Sequence, residues 1–287
     1  MKFVSIAHSP DADDIFMYYA IKFGWISPSN AQFQNIALDI QTLNEEALKG
    51  TYDITAISFG LYPLIRNEYA LLQTATSFGQ GYGPKLIKQK GKVLKPHMKV
   101  ALSGAHTTNA LLFRIAYPKA KIVYMNFLDI ERAVIEGKVD AGVLIHESIL
   151  TFDSTLEVER ELWEIWQELS GGNLPLPLGG MAMRRSLPLT SAIAYENCLI
   201  DAVRVGREHI GLLSSMLLER NLVRIDAPTL AKYLELYAND TSIRMDETQY
   251  EAIDKLFALG AQHGFFDKAI RARDFIIPHE YTDLRYS

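Results

Sequence analysis

Short apolar runs alternate with segments of helical periodicity along much of the chain, and this alternation limits the folds available to it. Residues 2–7 have the composition of a strand, residues 12–23 have the apolar spacing of a helix, and residues 53–58 again resemble a strand. Strands that alternate with helices are typical of parallel sheets covered by helices, so the sequence predicts an α/β fold. Further strands are expected at 36–40, 70–77, 86–89, 99–103, 121–125 and 141–145, and further helices at 44–49, 108–117, 128–136, 156–169, 191–219, 227–237 and 247–262.

The alternating pattern occurs twice, on either side of a basic connection at 88–99. A second connection, 174–183, leads back toward the first unit, and its residues Pro175 and Pro177 predict that it does not form a central strand. Two crossings of the chain between two α/β lobes predict a hinge and a cleft. The expected division is a first lobe of residues 1–94 and 184–287 and an inserted second lobe of residues 95–183.

Charge and cysteine content limit the partners of the chain. Its 287 residues include 29 Lys and Arg against 34 Asp and Glu, a net charge of −5, which disfavours nucleic acid as a ligand. The N-terminus lacks the long apolar core of a signal peptide, and no apolar run reaches the ~18 residues of a membrane span. We therefore expect a cytoplasmic protein without a membrane partner. Cys198, the only cysteine, lies in an apolar helical segment and is expected to fill the core.

Polar side chains follow four of the predicted strands, and the carboxyl ends of strands are where open parallel sheets bind ligands. His146 directly follows the apolar run 141–145, which places its imidazole at the rim of a buried strand. An imidazole has an ordinary pKa of ~6.5 and accepts a proton near neutral pH, so His146 is a candidate general base. The alternative is a surface histidine at a strand end. The other strand ends are His8 to Asp11, Ser58, and Gly104 to Thr108.

Thr107 and Thr108 precede a predicted helix, and their hydroxyls together with the free helix amides predict a site for a carboxylate or phosphate. Ser58 would reach the same anion from the other lobe. The alternative is that both threonines only cap the helix. The partner predicted from these features is a small anionic molecule, and the oligomeric state stays open.

Acidic residues near the N-terminus allow two interpretations. His8, Asp11, Asp13 and Asp14 are possible metal ligands, but Asp11 at a helix start and the acidic residues after it are also typical of helix capping. Because no matching set of distant ligands occurs, we expect capping and no metal. Two other patterns are expected to be structural. These are the glycine-rich turn at 79–83 and the stripe of Leu156, Trp163, Trp166 and Leu169.

Five segments together resemble the 1,4-dihydroxy-6-naphthoate synthase family of the futalosine route to menaquinone. They are HSPDADDIFMYYA from 8, TLNEEALKGTYDITAIS from 42, SGAHTTNALLF from 103, AGVLIHES from 141 and LPLPLGGMAMRR from 174, in the order that the family has them. The resemblance implies a bilobal, periplasmic-binding-protein-like fold of type II. It also implies a cofactor-free lyase that converts cyclic dehypoxanthinylfutalosine to 1,4-dihydroxy-6-naphthoate and dihydroxyacetone.

The same resemblance implies site residues. The family's proton acceptor is the histidine of its IHES motif, which corresponds to His146, and its substrate contacts correspond to Ala56, Ile57, Ser58, Thr108 and Asn109. The chain departs from the family pattern at Asp11 and Ala12, where Cys and Pro are frequent, and at Asn109, where alanine is frequent. Two alternatives stay open: chorismate dehydratase, which shares the fold and pathway, and a non-catalytic solute-binding or sensor protein.

Overall fold

Two β-sheets carry the fold, and the computed structural model describes residues 2–28, 31–223, 225–237 and 239–278. The predicted alternation of strands and helices is confirmed over most of the first half of the chain. The strands are β1 Lys2–His8, β2 Ala31–Ala37, β3 Ile54–Ser58, β4 Tyr69–Leu71, β5 Ser77–Gly79, β6 Lys85–Gln89, β7 Lys99–Leu102, β8 Lys121–Tyr124, β9 Ala141–Leu144, β10 Leu156–Glu161 and β11 Leu176–Arg184.

Helices cover both sheets, and several begin and end where local chemistry predicts. Asp39 caps the second helix by accepting bonds from the amides of Gln41 and Thr42, and Gly50 ends it in the left-handed conformation that glycine adopts without strain. The helices are α1 Ala12–Lys22, α2 Ile40–Lys49, α3 Tyr62–Ile65, α4 Thr108–Ala116, α5 Phe127–Ile135, α6 Leu162–Ser170, α7 Leu189–Glu208, α8 Ile210–Glu219, α9 Ala227–Tyr237, α10 Asp240–Ile243 and α11 Glu247–Gln262.

The first sheet has the order β2-β1-β3-β11-β4, and β5 pairs with the beginning of β11. Strand β1 is parallel to β2 and β3, whereas β11 is antiparallel to β3, β4 and β5. The parallel part therefore directs the carboxyl ends of β1 and β3 to one edge of the sheet. The side chains that follow these two strands are close together for this reason.

The second sheet has the order β10-β6-β9-β7-β8. Strand β7 is parallel to β8 and β9, and β6 is antiparallel to β9 and β10. The expected first lobe ends at residue 94 and includes β6, but the structure pairs β6 with the second sheet. The second sheet thus begins before the expected boundary, because cross-strand pairing rather than the basic connection decides where the strand belongs.

The prediction of one helix over 156–169 is wrong for its first six residues, which form β10. This segment pairs antiparallel with β6, and Lys88 of β6 lies 3.4 Å from Glu157 and 2.5 Å from Glu159. Pairing with a distant strand and its opposite charges outweighs the helical preference of a glutamate-rich segment. Helix α6 begins only at Leu162, where Glu161 and Glu164 form a capping box.

The prediction that 174–183 does not form a central strand is also wrong, since β11 lies between β3 and β4. Pro177 is near the beginning of β11 and pairs with Phe78 on one side, and a register shift follows between Pro177 and Gly179. Pairing with β3 starts at Gly179, after the proline, so no ladder bond to β3 requires a proline N–H. The proline is accommodated by its position within the strand.

The strand expected at 70–77 forms only at its two ends, in β4 and β5, and residue 40 of the strand expected at 36–40 already begins α2. Other structural expectations hold among the described residues. Trp166 is fully buried, and Cys198 is buried in α7, where burial raises the pKa of its thiol to about 11. The predicted helices at 191–219, 227–237 and 247–262 correspond to α7 with α8, to α9 and to α11. Among the helices of the described ranges, none has the length and apolar character that crossing a bilayer requires.

Candidate active site

A cavity of about 110 Å³ lies where the carboxyl ends of strands from both sheets meet. All seven residues predicted to act in the site line it, namely Ala56, Ile57, Ser58, Thr107, Thr108, Asn109 and His146. Other polar residues at its wall are Ser9, Asp11, Asp14, Ser77, Ser103 and Tyr233. None of the described lining residues is Lys or Arg. An anionic ligand would therefore depend on backbone amides and hydroxyls.

Strand β9 ends at Leu144, and His146 is the second residue after it. His146 begins a 3-10 turn, His146–Ile149. Its backbone has φ +55°, in the left-handed region that few non-glycine residues adopt. Such conformations persist where the surrounding structure imposes them, often at functional sites. The ring makes a T-shaped contact with Phe127, with 5.0 Å between the ring centres and 69° between the ring planes. The turn and the contact with Phe127 together limit the orientations of the imidazole.

Asp11 reaches His146 from the other sheet. Its Oδ2 lies 2.8 Å from His146 Nδ1, and it also accepts a hydrogen bond from the Ser9 hydroxyl. Asp11 occupies the N-cap position of α1, but its side chain makes no capping bond. The expectation that the Asp11 side chain caps the helix is therefore wrong, because its carboxylate contacts His146 instead of the helix amides.

Ser58 ends β3 in a buried polar pair with Asn44 of α2. The amide of Asn44 donates to Ser58 Oγ at 3.0 Å and its carbonyl accepts from Ser58 N at 2.9 Å. Because Ser58 Oγ accepts in this bond, its proton is left for a ligand in the cavity. Asn44 is completely buried and was not among the predicted site residues, although it lies in one of the segments that carry the family resemblance.

Thr107 and Thr108 act differently at the start of α4. Thr107 is the N-cap and accepts from the amide of Ala110 at 3.1 Å, which confirms the predicted cap. Thr108 Oγ1 accepts from Gly60 N at 2.9 Å and donates to Leu178 O at 2.7 Å. The predicted donation from this hydroxyl to a substrate anion does not fit the structure, because its one proton is already used between the sheets.

The first turn of α4 nevertheless presents groups to a ligand. The amides of Thr108 and Asn109 are the first two of the helix and have no intrahelical acceptor. The side-chain carbonyl of Asn109 is buried and has no hydrogen-bond partner among the described residues. A ligand that offers an acceptor to the amides and a donor to this carbonyl would satisfy all three groups.

The other candidates from the sequence lie apart from this arrangement. His8 is buried, stacks on Tyr18 and lies with Nδ1 2.6 Å from Ser9 O, and burial lowers its pKa. No group of three or more His, Cys, Asp or Glu in the described ranges is arranged to hold a metal ion. Glu147, the residue after His146, lies in the same 3-10 turn and does not line the cavity.

Asp14 gives the site a dependence on pH. Its Oδ2 accepts from Ser9 N at 2.8 Å, and burial, with the nearby carboxylate of Asp11, raises the pKa of Asp14 from its ordinary 3.8 to about 7. The folded state thus holds a proton that the unfolded state releases between these two values. The free energy of unfolding contributed by Asp14 must fall as pH rises from about 4 to about 7.

We therefore expect Asp14→Asn to become more stable relative to the parent chain as pH rises, since the amide mimics the protonated acid. The measurement is the free energy of unfolding in urea for both chains at pH 5 and pH 8. Most other titrating groups are common to both chains, so the difference between the chains reports Asp14 together with the two groups it interacts with, Asp11 and His146. If the two chains differed in free energy of unfolding by the same amount at both pH values, the elevated pKa of Asp14 would be contradicted.

Two curated proteins of known name are similar to this chain over nearly its whole length. The 1,4-dihydroxy-6-naphtoate synthase of Streptomyces coelicolor is 29% identical over 268 residues, which cover 91% of this chain and 94% of the relative. The enzyme of the same name from Thermus thermophilus is 27% identical over 265 residues, covering 92% and 96%. Both alignments span nearly the whole chain.

Solved structures show the fold. A protein of Archaeoglobus fulgidus superimposes with a TM-score of 0.84 at 31% identity, covering 92% of this chain and 98% of that one. The aliphatic sulphonate binding protein SsuA of Escherichia coli gives 0.62 at 11% identity, covering 96% and 92%. A Candida albicans protein with the generic periplasmic binding protein fold gives 0.67 at 10% identity, covering 91% of each chain. The implied bilobal, periplasmic-binding-protein-like fold is thus confirmed.

A family model described as menaquinone biosynthesis matches residues 4–262, which include every residue of the cavity wall. The match agrees with the resemblance that the five sequence segments indicate. The chain therefore belongs to the menaquinone biosynthesis family.

Proposed function

We propose that this chain is a cofactor-free carbon–carbon lyase that converts cyclic dehypoxanthinylfutalosine to 1,4-dihydroxy-6-naphthoate and dihydroxyacetone. His146 is the general base. The observation that carries the proposal is the position of His146 in a cavity between the sheets, with a carboxylate 2.8 Å from Nδ1. The names of the two synthases, aligned over more than 90% of the chain, support the naphthoate product.

The proposed reaction requires a base, an anchor for the substrate carboxylate and exclusion of water. His146 is 19% exposed at its side chain, so the imidazole is largely withdrawn from solvent but still reaches the cavity. The substrate carboxylate binds at the first turn of α4, where the amides of Thr108 and Asn109 and the positive end of the helix dipole hold an anion without a cationic side chain. Ser58 donates its hydroxyl proton to the same substrate from the first sheet.

Closure of the two lobes excludes water from the cavity. The cavity of about 110 Å³ is smaller than the ~300–1,000 Å³ usual for small-molecule sites, and Asp11–His146 and Thr108–Gly60 contacts already join the sheets across it. The arrangement is that of a closed form, and a bicyclic substrate enters only when the lobes separate.

We expect the ligand-free chain in solution to have a larger radius of gyration than the closed form, and naphthoate product to reduce it. Small-angle X-ray scattering with and without saturating product measures this change. A scattering profile that already matches the closed form and does not respond to product would argue against a closing hinge.

The function itself is tested by incubating the purified chain with cyclic dehypoxanthinylfutalosine and, separately, with chorismate. Mass spectrometry of the products distinguishes three outcomes. Formation of the naphthoate and dihydroxyacetone supports the proposal. Dehydration of chorismate would replace it with chorismate dehydratase activity. Ligand-induced thermal stabilisation without turnover of either compound would indicate a binding protein, and His146→Gln serves as the inactive control in the first assay.

A further inference from the structure

A hydrogen bond joins Asp11, which follows β1 of the first sheet, to His146, which follows β9 of the second, and the proposed function so far assigns Asp11 no role. Oδ2 of the carboxylate lies 2.8 Å from Nδ1 of the imidazole, a distance typical of a charge-assisted hydrogen bond. The Asp11 side chain is only 4% exposed. We propose that Asp11 is a positioning residue, which holds the proton of neutral His146 on Nδ1 and keeps Nε2 as the basic nitrogen. This inference rests on the proposed function for its kinetic consequences only.

The carboxylate of Asp11 is itself held in place. The Ser9 hydroxyl donates to Asp11 Oδ2, while the Ser9 amide donates to Asp14 Oδ2. Ser9 thus connects both acidic side chains at the beginning of α1. Asp11 makes no bond to the helix amides although it occupies the N-cap position, so the helix does not compete with the histidine for the carboxylate.

The histidine is constrained from its own side. The turn that begins at His146 imposes φ +55° on the backbone, and the ring of Phe127 makes a T-shaped contact at 5.0 Å between the ring centres. With the backbone, the ring and Nδ1 each fixed by a neighbour, the imidazole has one preferred orientation. A base must be held in this way if its lone pair is to meet a substrate proton reproducibly.

The pairing also selects the tautomer. An ionised carboxylate only accepts hydrogen bonds, so Nδ1 carries the proton and the lone pair belongs to Nε2. When Nε2 takes a proton from the substrate, the imidazolium that forms lies beside the negative charge of Asp11 and is stabilised by it. The proton is returned from Nε2 in a later step. Among the described residues, two acidic groups that act on His146 are Asp11 and Asp14, both from the beginning of α1.

The test compares the parent chain with Asp11→Asn, which preserves the size and shape of the side chain and removes its charge. Chains labelled with ¹⁵N at histidine report the tautomer through long-range nitrogen–proton correlations, and His146→Gln identifies the His146 signals. We expect the neutral ring of the parent chain to carry its proton on Nδ1. In Asp11→Asn this preference is lost, because the amide group at residue 11 can also donate to Nδ1.

Kinetics provides the second measurement. Asp11→Asn is expected to lower kcat by ~10–100-fold, a part of the ~10²–10⁴-fold that a placed base contributes, with little change in KM. The acidic limb of the kcat/KM profile moves to lower pH, since removal of the anion disfavours the imidazolium. Asp11→Glu, which restores the charge, should recover part of kcat. A role of Asp11 in folding alone predicts no displacement of the acidic limb.

The two measurements distinguish a failure of the positioning role from a failure of the proposed function. An unchanged tautomer and an unchanged pH profile in Asp11→Asn would overturn the positioning role, whatever reaction the chain catalyses. Absence of turnover in the parent chain would overturn the proposed function, and the nitrogen spectra, which need no substrate, would still decide the role of Asp11.

Discussion

Substitution of His146 by alanine is expected to lower turnover by ~10²–10⁴-fold, the usual contribution of a placed general base. His146 lies in the turn after β9 and lines the cavity, outside the strands of both sheets, so the fold should persist. Steady-state rates of naphthoate formation and a thermal unfolding curve for the same preparation measure both expectations. Turnover close to that of the parent chain would exclude His146 as the base.

A matched variant separates the ring from its unusual backbone. Alanine is strained at φ +55°, whereas asparagine adopts the left-handed region more readily. His146→Asn should therefore unfold close to the temperature of the parent chain and still lose turnover to the same extent as His146→Ala. If His146→Asn retained activity and His146→Ala did not, the backbone conformation rather than the imidazole would account for the loss.

The second large effect is expected at Thr108 and concerns stability. Thr108→Val leaves the buried amide of Gly60 without its acceptor and removes the bond to Leu178 O, which keeps a second donor in Phe59 N. An unsatisfied buried donor costs ~1–3 kcal/mol, so the melting temperature should fall by several degrees. Thr108→Ser keeps the hydroxyl, so the melting temperature of this variant should fall much less.

The same variant tests where the substrate anion binds. Because the Thr108 hydroxyl is used between the sheets, Thr108→Val should still distinguish a carboxylate ligand from its neutral amide analogue, through the backbone amides of α4. Binding constants for the acid and the amide in both chains give the comparison. A variant that has the stability of the parent chain but no longer prefers the acid would reassign the hydroxyl to the substrate.

The sequence predicted residues that line the cavity because strand ends and their polar residues are local features. His146, Ser58 and Thr108 each follow an apolar run, and the geometry of parallel strands brings such ends together. The pair between Asp11 and His146 could not be predicted in this way. It joins residues on two different sheets, and only the packing of those sheets sets the distance of 2.8 Å.

The errors in the fold have a similar origin. Residues 156–161 have the composition of a helix and become a strand because Lys88 and the rest of β6 lie alongside them. Pro177 is typical of non-strand segments, yet it fits at the beginning of β11, where β3 has not yet started to pair. In both segments a partner remote in sequence overrides a local preference, and the local sequence contains no information about that partner.

The central position of β11 has a consequence for the order in which the chain can acquire structure during its synthesis. Strand β11 separates β3 from β4, and Ala182 pairs with Thr55 on one side and with Leu71 on the other. The ribosome therefore releases β3 and β4 long before their common neighbour exists, and it completes the whole second sheet in between. Until then the edge of β3 stays open to other extended chains, so the growing chain carries an aggregation-prone strand edge for longer than its size alone suggests.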